Sequence, residues 1–155
     1  MKNGYFLLSA LLVLLDQGVK TLIRARIPLH ETVAFLPGFD LTHLRNTGAA
    51  FSILSAHTWI LTLLSAVVSL ALVAGLARRF LPSRTGMLAM ALLLGGAVGN
   101  LIDRARFGYV TDIFRTTFMD FPVFNVADMA VVAGGALLCL YVILSYREEK
   151  REAKT

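Results

Sequence analysis

Thr58–Ala77 reads Thr-Trp-Ile-Leu-Thr-Leu-Leu-Ser-Ala-Val-Val-Ser-Leu-Ala-Leu-Val-Ala-Gly-Leu-Ala, without a single charged residue. Such a run has no polar face to offer water, and its length as a helix, about 30 Å, is the thickness of a bilayer's hydrocarbon core. Three further runs of similar character lie around it, at about Tyr5–Ile23, Met87–Ile102 and Val126–Leu144. Each spans roughly 24 Å or more as helix, enough to cross with modest end effects. The chain of 155 residues is 57% hydrophobic and only 16% charged, with mean hydropathy +0.70. A water-soluble fold of this size cannot hide that much apolar surface, so lipid must cover it. The expectation is an all-α integral membrane protein of four transmembrane helices, forming one membrane-embedded domain over residues 1–155.

Lys2 ahead of an apolar stretch also fits a cleavable secretory signal. Against that reading, the stretch leads into Asp16, Gln17 and Lys20 with no clear small-x-small cleavage site, and three more runs follow. The net charge of +5 does not mark a nucleic-acid binder, because the Lys and Arg residues are scattered between apolar runs and form no dense stripe. Lys2, the Arg78, Arg79 and Arg84 link, and Arg147, Lys150, Arg151 and Lys154 share one side if there are four spans. The positive-inside rule makes that side cytoplasmic. The 27–56 and 105–124 segments then face outward. Pro37-Gly38 between Phe35-Leu36 and Phe39-x-Leu41 predicts a turn joining short strands, so a small extracytoplasmic β-rich segment is expected between the first two spans.

Cys139 is the single cysteine and excludes a disulfide within the chain, while His30, His43 and His57 follow no metal-ligand spacing. No metal or other cofactor is expected.

Ionisable side chains inside spans cost about 2.5–3.5 kcal/mol each near a helix centre, so their placement carries information. Asp16 and Lys20 stand at i and i+4 in the outward half of the first span, and Asn100, Asp103 and Arg104 at the outward end of the third. Asn125 and Asp128 stand at i and i+3 where the fourth begins. Residues three or four apart share a helix face, so all three sets can converge on one polar pocket near the outer surface. Taken singly, Asp16 with Lys20 and Asp103 with Arg104 read as structural ion pairs, and Asn125 as a helix cap. Their common level in the membrane favours a site. Gly95 with Gly99 and Ala130 with Gly134 add small-xxx-small faces that let the last two spans pack closely.

With no Ser/His pair, reactive Cys or metal set in that pocket, carboxylates are the available catalytic groups. An ionised Asp can take a proton from attacking water while a protonated Asp polarises the carbonyl and then protonates the leaving amine. Two carboxylates about 4 Å apart repel by about 4 kcal/mol at an effective dielectric of 20, so they share one proton near neutral pH. Spacing alone leaves open which of Asp16, Asp103, Asp112, Asp120 and Asp128 form the pair. A proton- or ion-coupled transporter is the alternative from another class, but it would spread polar groups through the full depth of the membrane. A non-catalytic scaffold gives no reason for several acids in one pocket.

Five segments in order resemble the lipoprotein signal peptidase (signal peptidase II) family over nearly the whole chain. They are Asp16-Gln17-Gly18-Val19-Lys20, Arg45-Asn46-Thr47-Gly48-Ala49-Ala50-Phe51, Gly95–Arg104, Gly108-Tyr109-Val110-Thr111-Asp112 and Phe124-Asn125-Val126-Ala127-Asp128. The resemblance implies an aspartic endopeptidase that removes the signal peptide of prolipoproteins just before a diacylglyceryl-modified cysteine. It implies Asp112 and Asp128 as the catalytic pair and Asn46, Asn100, Arg104 and Asn125 as residues that hold substrate backbone or orient the carboxylates. Asp16, Lys20 and Asp103 become supporting residues. The implied setting is the bacterial cytoplasmic (inner) membrane with the active site near the outer face; the basic segments put the termini inside, and a monomer working among membrane lipids is expected. Val110-Thr111-Asp112-Ile113 departs from the family's Val-Val-Asp-Phe-like stretch but keeps the carboxylate.

Overall fold

The computed structural model describes residues 2–48 and 58–152. Ala49, Ala50 and Phe51 of the second motif, His57, and Lys154 of the basic C-terminal stretch lie outside the described residues. The element order is α1 (Lys2–Arg26), β1 (Thr32–Leu36), β2 (Phe39–Asn46), α2 (Thr58–Arg78), α3 (Arg84–Phe107), β3 (Val110–Thr116) and α4 (Val126–Glu152). All four helices are long and apolar enough to cross a membrane, and each extends beyond the apolar run read from the sequence. Their large apolar side chains, such as Leu14, Leu70 and Val132, face outward from the bundle, as a lipid solvent requires.

Half of α3's most apolar window is buried inside the protein, against about a fifth or less for the other three, so α3 is the central helix. Its small residues make this possible. A Cβ on Gly96 would lie 2.4 Å from the Ala127 carbonyl oxygen of α4, and one on Gly99 would lie 2.8 Å from Asp16 Oδ2 of α1. On the other face of the contact, a Cβ on Gly134 would meet the Leu93 nitrogen at 2.9 Å. Ser83 caps α3 by accepting from Gly86 N–H at 2.9 Å, and Gly108, in the left-handed region at φ 76°, ends it with its N–H on the Arg104 carbonyl.

The strands form one antiparallel sheet in the order β1-β2-β3 at the end of the bundle where α1 and α3 finish and α4 begins. Gly38 at φ 90° makes the β1–β2 turn, a conformation that a residue with a Cβ rarely adopts. The sheet is larger than the sequence suggests, because β3 comes from the segment between α3 and α4 and pairs along β2 from Phe39↔Thr116 to Asn46↔Val110. Ile113 of β3 is fully buried against Ile23 of α1 and Ile27 just beyond its end, and His43 Nδ1 of β2 donates to the Ile27 carbonyl at 2.9 Å. These contacts dock the sheet on the end of α1. The 121–125 stretch is then held against β3: Ile113 and Phe114 donate to the Phe124 carbonyl, and Phe124 N–H returns a bond to Phe114. Asn125, the next residue, is thereby brought beside Asp112.

Candidate active site

Asp112 on β3 and Asp128 in the first turn of α4 face one another's surroundings across Asn125. Asp112 is 4% exposed; its Oδ1 accepts from Asn125 Nδ2 and its Oδ2 from Asn46 Nδ2, both at 2.9 Å. Asp128 Oδ1 accepts from Asn100 Nδ2 at 2.8 Å and Oδ2 from Asn125 N–H at 3.1 Å. Neither makes an ion pair among the described residues. Burial pushes the Asp112 carboxyl up to about 6, opposed by the Asn46 bond, reinforced by the charge of Asp128, and opposed again by Asn125 and by Lys20.

Three asparagines supply the amides, and in each the carbonyl end is already committed. Asn46 Oδ1 takes Gly48 N–H at 2.9 Å, Asn100 Oδ1 takes Lys20 Nζ at 2.9 Å, and Asn125 Oδ1 takes Asp128 N–H at 3.0 Å. The two ends of an asparagine amide are one acceptor and one donor, so each NH2 has to face the carboxylates. Asn125 is also the N-cap of α4: its exchange with Asp128 three residues on is a capping box built from Asn and Asp. The cap and the site are the same pair of residues.

Behind the asparagines lies a charged cluster. Lys20, with no exposure at all, holds Asp16 Oδ2 at 2.8 Å and Asp103 Oδ2 at 3.7 Å, and Arg24 reaches Asp103 at 3.5 Å. Two acids and two bases make the cluster formally neutral, the condition under which buried charge is tolerated. Asp120 stands apart, exposed in the segment after β3. Of the five acids open at the sequence level, Asp16 and Asp103 are neutralised by cations and Asp120 is elsewhere.

Arg104 lines the same cavity as the two aspartates. Its Nη2 reaches the Gly48 carbonyl at 3.4 Å, and its buried Nε has no hydrogen-bond partner among the described residues. The cavity, of about 660 Å3, has Asn46, Asn100, Arg104, Asp112 and Asp128 at its polar end and continues along α4 past Val132, Ala133 and Ala136. It therefore joins a pair of carboxylates to an apolar trough on the lipid-facing side of a span. That is what a peptide bond at the end of a hydrophobic helix requires.

The resemblances of this chain agree with that chemistry. Residues 8–144 match the family described as Signal peptidase (SPase) II. The chain belongs to the signal peptidase II family. Its relatives include the lipoprotein signal peptidase of Enterococcus faecalis, 45% identical over 94% of this chain and 91% of that protein. The lipoprotein signal peptidase of Moorella thermoacetica is 44% identical over 95% and 98% of the two chains. Among solved structures, a bacterial membrane enzyme determined at 2.3 Å resolution superposes with a TM-score of 0.87 at 28% identity, over 93% of this chain and 90% of that one. The protein is a multi-pass bacterial membrane protease that removes the signal peptides of prolipoproteins.

Every signal peptidase II site residue named from the sequence enters this one region, including Asp16, Lys20 and Asp103. Two contributors were missed. Gln17 Nε2 lies 3.2 Å from Asp16 Oδ2, 3.0 Å from the Gly99 carbonyl and 3.1 Å from Asp103 Oδ1. Its place beside Asp16 in the first motif was the available signal. Thr111 gives its N–H to Asp103 Oδ2 at 2.9 Å and takes Arg24 on its hydroxyl at 2.9 Å. A valine there would accept nothing from Arg24, so the hydroxyl adds a link to α1.

Proposed function

We propose that Asp112 and Asp128 are the catalytic pair and that this chain, as a single membrane-embedded domain over residues 1–155, hydrolyses the bond just before a diacylglyceryl-modified cysteine. The observation that carries the proposal is the convergence of three oriented asparagine amides on two carboxylates, Asp112 buried and Asp128 half-buried, that make no ion pair among the described residues. Amides rather than charges let the pair hold one proton between them, since a bound Lys or Arg would favour full ionisation. In the reaction one ionised carboxylate takes a proton from water as oxygen attacks the carbonyl carbon. The protonated partner donates to the carbonyl oxygen; the carboxyl that took the water proton then gives it to the leaving nitrogen as the C–N bond breaks, while the partner recovers its proton from the diol hydroxyl.

Arg104, whose Nε–H has no partner among the described residues, and Asn46 at the rim hold the substrate's backbone carbonyls. The apolar trough along α4 suits the substrate's own hydrophobic parts, so its lipid chains stay in the outer leaflet. The termini and the 78–86 link are cytoplasmic and the sheet end is outward, the protein acts as a monomer, and no nucleic acid is involved. The test is cleavage of a purified lipidated precursor in detergent or lipid. The parent should cleave before the modified cysteine and leave the unlipidated precursor intact; equal rates on both would remove the lipid requirement. Asp112→Asn, Asp128→Asn and the double variant should all lose turnover to a similar extent while still binding precursor, because the two groups act as a unit. Near-parental turnover by either single variant would refute the pair.

A further inference from the structure

The two aspartates sit on different elements, β3 and α4, and Asn125 bridges them by bonding both carboxylates. The pairing of Phe124 with β3 also ties that strand to the start of α4, and two further ties run from the aspartates' neighbours into the bundle. The residue immediately before each aspartate is tied by its backbone N–H to a buried carboxylate: Thr111 to Asp103 Oδ2 and Ala127 to Asp16 Oδ1, each at 2.9 Å. Asp103 belongs to α3 and Asp16 to α1, and both are fully buried. These two anchors carry like charge and repel, so their separation depends on what lies between them.

Between them lie Lys20 and Gln17. Lys20 Nζ bonds Asp16 Oδ2 at 2.8 Å and faces Asp103 Oδ2 at 3.7 Å. The Gln17 amide nitrogen has two protons and three acceptors, Asp16 Oδ2, Asp103 Oδ1 and the Gly99 carbonyl of α3, all within 3.2 Å. Gly99 lets α1 come this close, since a Cβ there would strike Asp16 Oδ2. We infer that Gln17, together with Lys20, is a positioning residue that sets the separation of Asp112 and Asp128 by clamping the two carboxylates to which their neighbouring backbone amides are tied.

The lever is short. A peptide unit is planar and successive Cα atoms are about 3.8 Å apart, so a shift at Thr111 or Ala127 passes to the next residue almost undiminished. A misplacement of about 1 Å in a reacting group can cost about a hundredfold in rate. Lys20 also carries the ammonium that neutralises the cluster, so its removal would unbalance buried charge. Gln17 is neutral and partly buried, and it isolates the clamp from the charge balance.

Gln17→Met keeps the length and volume of the side chain and deletes the shared donor. Its kcat per folded molecule should fall about tenfold or more with KM within about twofold, since substrate binds elsewhere in the cavity. Wider spacing also weakens the repulsion within the pair, so the upper titration step in the pH–kcat profile should move to lower pH. The other charged groups around the pair, Asp16, Lys20, Asp103 and Arg104, are unchanged in this variant. A structural role alone would lower the yield of folded protein and leave both readouts in place. Parental kcat or an unshifted profile overturns the inference. Should Gln17→Met fail to fold, Gln17→Glu is isosteric: neutral when protonated, it should work at low pH and lose activity earlier than the parent as pH rises. A profile superimposable on the parent's overturns the inference equally. The inference rests on Asp112 and Asp128 being the reacting pair. An active Asp128→Asn variant would sink that assignment, whereas inactive pair variants beside an unaltered Gln17→Met would sink only the clamp.

Discussion

Asn125 and Asp128 exchange hydrogen bonds, Asp128 N–H giving to Asn125 Oδ1 at 3.0 Å and Asn125 N–H giving to Asp128 Oδ2 at 3.1 Å. The start of α4 is thus stabilised by the same two residues that shape the site, and only the remaining Asn125 NH2 is spent on Asp112. Serine is as good an N-cap as asparagine but has no second donor. Asn125→Ser should therefore keep the helix start and lose the bond to Asp112. Thermal unfolding in detergent should stay near the parent, while turnover falls roughly ten- to a hundredfold, the scale of about 1.5–3 kcal/mol for a hydrogen bond to a charged group. Equal losses of stability and turnover would mean the cap alone matters.

Asn46 gives a pH-dependent outcome with a definite sign. Its NH2 stabilises the ionised form of Asp112, and burial has already pushed that carboxyl up to about 6. Removing the donor in Asn46→Ala favours the protonated form and raises the carboxyl further. Whether Asp112 acts as base or as acid, the limb of the kcat profile that it governs moves to higher pH. A limb that stays put or moves down contradicts the hydrogen bond as the source of the shift.

The contact between α3 and α4 should tolerate no added carbon at Gly96, where a Cβ would lie 2.4 Å from the Ala127 carbonyl oxygen and 2.6 Å from Val131 Cγ2. Gly96→Ala is expected to destabilise by about 1–3 kcal/mol or more, as overpacked contacts do. Gly135→Ala, where a Cβ meets nothing within 4 Å, should stay within about 0.5 kcal/mol. Thermal unfolding of the two variants in one detergent compares them directly. Because Gly96 packs against the residue before Asp128, turnover should fall in the first and not the second.

Orientation is open to labelling. Phe80 is exposed in the link between α2 and α3, and Asp120 is exposed at the opposite, sheet end. With Cys139→Ser removing the native thiol, Phe80→Cys should react only with reagent admitted to the cytoplasmic side and Asp120→Cys only from outside. Ser83, which caps α3, is best left alone. The reverse pattern would place the site on the cytoplasmic face.

Four spans were legible in residues 5–23, 58–77, 87–102 and 126–144 because a bilayer of fixed thickness demands apolar runs of fixed length, a local property that needs no partner. The gathering of Asp16, Lys20, Asn100, Asp103, Asn125 and Asp128 at one level was legible for a related reason: helical periodicity puts residues three and four apart on one face. What periodicity cannot convey is which faces meet. The pairing of β2 with β3 joins residues 39–46 to 110–116 across two intervening helices, and no neighbouring residue announces it. Asp112 is buried only through that pairing, and it stands beside Asn125 only because Phe124 is bonded to β3. The sequence by itself therefore determined the membrane architecture, the polar level and, through its motifs, the family. Tertiary structure alone decided which acids are neutralised, which way each asparagine amide points, and that Asp16 and Asp103 hold the chain beside the catalytic candidates, because hydrogen bonds and charge balance depend on distances between elements far apart in the chain.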